Sequence, residues 1–453
     1  MKISYVNLNL QWKKEKKYLL KIIDKTLEND QWVGGKNIEK FEEKISKLCN
    51  TKYAVSLNSG TDALTLGLHL LGVRRGDEVI TIPNSFIASV SVIVHIGAKP
   101  VFVDVLPDQN MNPDLLEKAI TKKTKAIMPV HLTGRISEMF AINRIAKKYN
   151  IPVIEDAAQS IGSMYYNKPS GSLGVIGCFS AHPLKNLNAI GDAGYLTTNN
   201  KKIYKKVIEL RNHGMVNRNK IRNFGYVSRM DNLQAAVLNY RLKNLKNVIK
   251  KRRENFNLYK KYLNNKYVFI PAEKKHQYNT YHTFVIQVSK RNQLKKYLQK
   301  NHINSAIHYP VPIHLQPAAK YLGYKKGSFK NTEEQSKKIL TLPINQFLKD
   351  SEIRYISNAM ASLPGDKRRT DLLIADSNFG MYKDDIEVCE IIAEEQDSNG
   401  YPEYINVSTG KNRKARVLEA ARLVNGAMKL AGSVQSLDIG VLKNIKRDNI
   451  SKD

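Results

Sequence analysis

Asp156 and Lys185 stand where an acid and an amine can work together. Asp156 closes a short apolar run carrying Ile151, Val153 and Ile154. Lys185 follows a second apolar run, residues 175–179, after Ser180 and His182. Gly191, Asp192, Ala193 and Gly194 then turn the chain into a third strand-like run, residues 195–198. An acid at one strand end and a lysine just past the next suit pyridoxal phosphate (PLP) chemistry. The lysine amine condenses with the cofactor aldehyde, and the acid keeps the pyridine nitrogen protonated so that the ring accepts electrons.

A second landmark lies upstream. Residues 53–57 read as a strand that runs through Asn58, Ser59, Gly60, Thr61 and Asp62 into a helix, residues 63–71. A helix start built from small residues presents free N–H groups and a positive dipole end, a seat for phosphate. The same residues also serve an ordinary N-cap by Ser59 or Thr61. Phe86 follows the strand at 79–82, either as a core phenylalanine or as a ring at the ligand end of the sheet.

These residues need a frame. Apolar runs and helical periodicity alternate from residue 53 to residue 198, which predicts a mostly parallel sheet with helices on both faces. Gly60, Phe86, Asp156, Gln159, Ser180 and Lys185 all follow apolar runs, so this frame gathers them at one sheet edge. Helices are expected at 16–28, 37–48, 115–120, 137–149 and 201–213, with one long basic helix at 231–253. Residues 283–288 and 340–343 read as strands, 292–301 and 351–360 as helices.

Composition bounds the function class. Hydrophobic residues make up 42% of the 453, so a globular chain is expected. The net charge of +32 raises nucleic acid as a partner, but the basic residues are spread along the chain. No helix-turn-helix, zinc spacing or aromatic RNA motif accompanies them, so no dedicated nucleic-acid site is expected. The positive field would still attract an anionic substrate. Cys49, Cys178 and Cys389 lie far apart, with no CxxC pair, which suits a reducing cytoplasm and gives no metal site. The N-terminal residues lack the apolar core of a signal peptide, and no apolar run reaches the ~18 residues of a membrane span.

EDAAQ (155–159), SAHPLKN (180–186) and GDAG (191–194), in that order, resemble the DegT/DnrJ/StrS family of nucleotide-sugar aminotransferases. The resemblance runs from about residue 3 to about residue 363. It implies an α/β fold-type I PLP enzyme, with a large cofactor-binding domain at 1–245 and a smaller one at 246–363. It implies Lys185 as the cofactor lysine, Asp156 at the ring nitrogen, Gly60, Thr61 and Ser180 at the phosphate, Phe86 stacked on the ring and Gln159 beside it. His182, Arg229 and, in the HYPVPIH loop (308–314), His314 become substrate contacts. A nucleotide sugar would accept the amine, glutamate would donate it, and a homodimer in the cytoplasm would act in surface-polysaccharide or glycan synthesis. A histidine in place of the lysine marks the family's dehydratase branch, so Lys185 favours transamination.

Two departures accompany the resemblance. The family's loop Gly-x-Asn-Ser-Arg offers an asparagine to the neighbouring subunit's cofactor phosphate. Here it reads Gly225, Tyr226, Val227, Ser228, Arg229, and valine has no side-chain donor. A PLP-binding scaffold or regulator without turnover is the alternative that this raises. The family pattern ends near Pro364 and Gly365, and an extension follows from about residue 370. The stretches at 375–381, 404–412 and 433–447 resemble an internal part of radical SAM enzymes, with strands expected at 372–375 and 404–407 and helices at 384–396 and 415–430. Three clustered cysteines would be needed for an iron–sulfur cluster, and residues 370–453 hold Cys389 alone, so the expectation is a partial βα extension without a cluster.

Overall fold

The computed structural model describes residues 2–28, 32–263 and 267–361 in full, and the backbone of 392–396 and 402–406. Met1–Ala361 forms one compact unit and Ser362–Asp453 a second.

The first unit is built on seven strands: β1 (Tyr53–Leu57), β2 (Glu78–Thr81), β3 (Lys99–Phe102), β4 (Thr124–Ile127), β5 (Ile154–Asp156), β6 (Ile176–Ser180) and β7 (Gly194–Thr198). Two ladders, β3-β2-β4 and β1-β7-β6-β5, are joined by parallel bridges Ile127–Val153 and Val130–Asp156. β7 runs antiparallel to both its neighbours, while β2 with β3, β2 with β4 and β5 with β6 are parallel. The strands read as near-continuous apolar runs because both faces of the sheet are covered.

The cover comes from α1 (Leu8–Glu28), α2 (Lys36–Leu48), α3 (Gly60–Leu70), α4 (Ala88–His95), α5 (Met139–Lys148), α6 (Lys201–Leu210) and α7 (Asn232–Leu242). Side chains alternate along each strand. On β6, Ile176 and Cys178 meet Leu64 and Leu68 of α3, while Phe179 joins Phe41 of α2 and Leu238 of α7 on the other face. Ile142 of α5 buries against Ile80 and Ile127.

Two expectations change here. The single helix at 231–253 is two, α7 and α8 (Leu245–Tyr262). The chain turns at Lys243 and Asn244, whose N–H groups donate back to Tyr240 and Arg241. The helix expected at 115–120 is a pair of 3-10 turns, Pro113–Leu115 and Glu117–Ala119. Conversely, α1 starts earlier than its apolar spacing indicates, because Asn7 accepts from the Leu10 N–H and caps it.

The C-terminal part of this unit pairs β8 (Phe284–Gln287) with β9 (Ile339–Leu342), antiparallel. Around them stand α9 (Arg291–Lys300), α10 (Lys330–Lys338) and α11 (Asp350–Ala361). The first residues of the chain return to this part, with Ile3 bridging Ile303 in parallel.

In the second unit, β10 (Ile392–Gln396) and β11 (Pro402–Asn406) form an antiparallel pair, Ile392 opposite Asn406. The helix expected over 384–396 is therefore a strand in its last five residues. An antiparallel pair thus stands where a helix followed by a parallel strand is expected. The strand expected at 404–407 coincides with β11 over residues 404–406. The other expectations for the tail, Cys389 included, lie outside the described residues. Among the described residues, no helix is long and apolar enough to cross a membrane.

Candidate active site

β1, β2, β5 and β6 all end at one edge of the sheet, and the candidate residues hang from those ends. Asp156 terminates β5 and is 5% exposed. Its Oδ2 accepts a 2.6 Å hydrogen bond from the Ser89 hydroxyl at the start of α4, and its Oδ1 accepts from the Ala158 N–H. Among the described residues no basic side chain forms an ion pair with it. A carboxylate has about four acceptor positions, so this one keeps capacity for a further donor such as a ring N–H.

Lys185 lies in the turn after β6, where its N–H donates to the His182 carbonyl. Its amine has no hydrogen bond or ion pair among the described residues. Burial lowers the Lys185 pKa to about 8, and the nearby charge of Asp156 opposes that shift. A free amine with this basicity is a competent nucleophile for an aldehyde.

The polar corner beside them depends on two glycines. A Cβ on Gly60 would lie 2.7 Å from the Ser180 Cβ, and one on Gly194 would lie 2.4 Å from the Gly60 nitrogen. Only glycine lets the start of α3, Ser180 and the start of β7 meet so closely. Ser59 is used as the N-cap, accepting from the Asp62 N–H at 3.1 Å. Thr61 is exposed and Ser180 half-buried. Helix N–H groups, a threonine and a serine together form a seat for an anion.

Phe86 is 56% exposed at the end of β2, so it is not a core residue. Its ring faces Tyr309 with centroids 6.3 Å apart. The Gln159 amide oxygen accepts from the Thr133 N–H at 2.8 Å. His182 is exposed, with Nδ1 accepting from the Leu184 N–H. A lysine amine without a partner, a buried carboxylate with spare acceptor capacity and a glycine-cleared anion seat fit PLP. Among the described residues no cluster of acids, histidines or cysteines is arranged to hold a metal.

Two expected residues sit elsewhere. His314 is a correction: its side chain is fully buried, with Nε2 3.1 Å from Glu333 and its ring edge-on to Phe329. Glu333 also accepts from the Gly327 and Phe329 N–H groups, so the pair braces that loop and presents nothing to a substrate. Arg229 donates to the Asn212 side chain at 3.0 Å. It lies on a loop of exposed apolar residues, among them Phe224, wholly exposed, and Val227, 58% exposed.

The structure adds residues that motif reading passed over. Ser89 holds Asp156; its place three residues after Phe86, at a helix start, is the signal for it. His308 and Tyr309, not His314, are the members of the HYPVPIH loop near Lys185 and Asp156. Burial and then the Lys185 charge lower the His308 pKa to about 4. Burial, then the Asp156 charge, raises that of the Tyr309 phenol. His282 is held neutral by burial and by the Lys185 charge. It has no sequence signal.

Comparison with known proteins agrees with this geometry. A model of the DegT/DnrJ/EryC1/StrS aminotransferase family matches residues 13–361. A pleiotropic regulatory protein of Geobacillus stearothermophilus is 36% identical over 365 residues, covering 80% of this chain and 98% of that protein. The dTDP-3-amino-3,6-dideoxy-alpha-D-galactopyranose transaminase of Aneurinibacillus thermoaerophilus is 36% identical over 356 residues, 78% of this chain and 96% of that one. The crystal structure of NtdA from Bacillus subtilis with bound cofactor PMP, the amine form of PLP, superposes with a TM-score of 0.72 at 32% identity, covering 77% of this chain and 82% of that one.

Proposed function

From the premise that the chain belongs to the DegT/DnrJ/EryC1/StrS aminotransferase family, fold-type I enzymes that use PLP, we propose that it moves an amino group from glutamate to a keto group of a nucleotide-linked sugar. The observation that carries this reading is the unpartnered Lys185 amine set within the field of the buried Asp156. The name of the Aneurinibacillus relative supports C3 as the carbon that receives the amine.

Bound PLP supplies an electron sink for the carbon that loses a proton. Lys185 would hold the cofactor aldehyde; displaced by the amino acid, its amine would take the proton from the donor α-carbon and deliver it to the aldehyde-derived carbon two bonds away. Asp156, fixed by Ser89, would accept the ring N–H. Gly60, Thr61 and Ser180 would hold the phosphate, Phe86 would cover one ring face, and Gln159 would hold the ring's edge. His182 stands on the substrate side. His282, His308 and Tyr309 form the facing wall, and the two imidazoles, uncharged, add no positive charge to that of Lys185.

A cytoplasmic homodimer is part of the same reading. The loop that carries Phe224, Val227 and Arg229 is unusually apolar for a monomer surface, and a second copy of the chain is its occupant. Arg229 then reaches substrate in the partner. Pathway placement in glycan synthesis rests on the substrate class. The test is turnover: purified enzyme with PLP, glutamate and 3-keto nucleotide sugars should yield 2-oxoglutarate and an amino sugar. The Geobacillus relative and Val227 favour one second reading, a PLP-binding regulator. It predicts bound cofactor with no glutamate-dependent product.

A further inference from the structure

We infer that Tyr5, on the strap of residues 2–7 ahead of α1, is a positioning residue that sets the corner formed by His308 and Tyr309 for the acceptor sugar. The inference rests on the aminotransferase reading of the Lys185 site.

Chain termini usually fray, but this one is laced down. Ile3 is buried; its N–H donates to the His302 carbonyl at 2.9 Å, and its carbonyl accepts from Asn304 at 3.0 Å. The Asn345 amide donates to the carbonyls of Ser4 and Tyr5. Asn7 then caps α1. Tyr5 is thus clamped on both sides, and its neighbours are held to the segment that leads into His308.

The Tyr5 ring lies 5.8 Å from the His308 ring, tilted by 32°. On its other flank, His308 Nδ1 is 2.8 Å from the Thr341 hydroxyl of β9. Thr341 engages Nδ1 and Tyr5 braces the ring, so Nε2 is the nitrogen left for a ligand. The Tyr5 phenol is close enough to Tyr309 and to the buried Arg252 for each to feel its charge state, and burial keeps it protonated. Arg252, 5% exposed, forms no ion pair with a carboxylate among the described residues. It donates to the carbonyls of Tyr281 and His282 and to Gln346, which fixes the His282 side of the wall. Tyr5 therefore acts through His308 and Tyr309, residues about 300 positions away in sequence.

The two half-reactions separate this role from general support. Amine transfer from glutamate needs Lys185 and Asp156; acceptance by the sugar needs the wall. In the holoenzyme, Tyr5→Ala should raise KM for the keto sugar nucleotide about tenfold while the glutamate half-reaction stays within about twofold. Tyr5→Phe keeps the ring against His308 and should restore KM to within about threefold, whereas Tyr5→Leu, of similar bulk but without the ring, should not. UDP-glucose and dTDP-glucose serve as binding probes by calorimetry, with the same ordering of the variants. Equal losses in both half-reactions, or a Tyr5→Ala enzyme with unchanged KM and probe affinity, overturn the inference alone. A wild-type enzyme that binds neither probe and aminates no keto sugar overturns the aminotransferase reading and this inference with it.

Discussion

The floor of the site and the wall that faces it are made differently. The floor, with Asp156, Ser180 and Lys185, hangs from adjacent strand ends, so the sheet register fixes its spacing and nearby residues complete it. The wall draws on Tyr5, His282, His308 and Tyr309, from three separate stretches of chain held together by tertiary contacts. In the proposed reaction the floor would serve both half-reactions, and the wall would select the acceptor in one.

The largest effect should come from the floor. Lys185→Ala should reduce both half-reactions by about a thousandfold or more, read by single-turnover kinetics with glutamate and with the sugar separately. An equal loss confined to one half would break the division. Ser89→Ala comes next: it removes the 2.6 Å hydrogen bond that orients Asp156, and a bond to a charged group contributes about 1.5–3 kcal/mol. Both half-reactions should slow together, by roughly tenfold or more. His308→Gln should behave oppositely, raising KM for the sugar nucleotide by about tenfold and sparing the glutamate step.

Lys185 also gives the floor a pH signature. Its folded pKa of about 8 lies below the ordinary lysine value, so between about 8 and about 10.5 the unfolded chain binds more protons than the folded one. This group therefore destabilises the cofactor-free protein fully below pH 8, and the cost fades as pH rises towards 10.5. Cofactor-free Lys185→Met should be more stable than the wild type at pH 7, by about 3 kcal/mol at most, and the gap should narrow to below about 1 kcal/mol at pH 10 in denaturant titrations. Capture of PLP should accelerate with pH up to about 8 and then level off. The smallest effect belongs to Val227→Asn, which supplies a side-chain donor where the family has one. PLP affinity should rise about threefold to tenfold if a second copy places that loop at the phosphate.

What the sequence disclosed divides along the same line. EDAAQ, SAHPLKN and GDAG mark strand ends, and short apolar runs located each strand of the large sheet within a few residues. Gly60 and Gly194 were legible as glycines in motifs, but not as the close approach that brings α3 to Ser180. The wall was not legible, because no local pattern ties residue 5 to residue 308. The HYPVPIH loop offers two histidines; the sequence alone favours His314, and only packing reveals that Glu333 has claimed it. The break between α7 and α8 was hidden because the basic, apolar-spaced pattern runs unbroken through Asn244. In the tail, Ile392–Gln396 reads as helix by composition, and its strand state follows from pairing with Pro402–Asn406.

The central claim is that Lys185 carries the cofactor. Reduction of the PLP-loaded enzyme with borohydride, followed by peptide mass mapping, tests it directly. The account predicts a single phosphopyridoxyl adduct on Lys185, absent after Lys185→Ala. An adduct on another lysine, or a Lys185 peptide left unmodified in protein that has bound PLP, would contradict it.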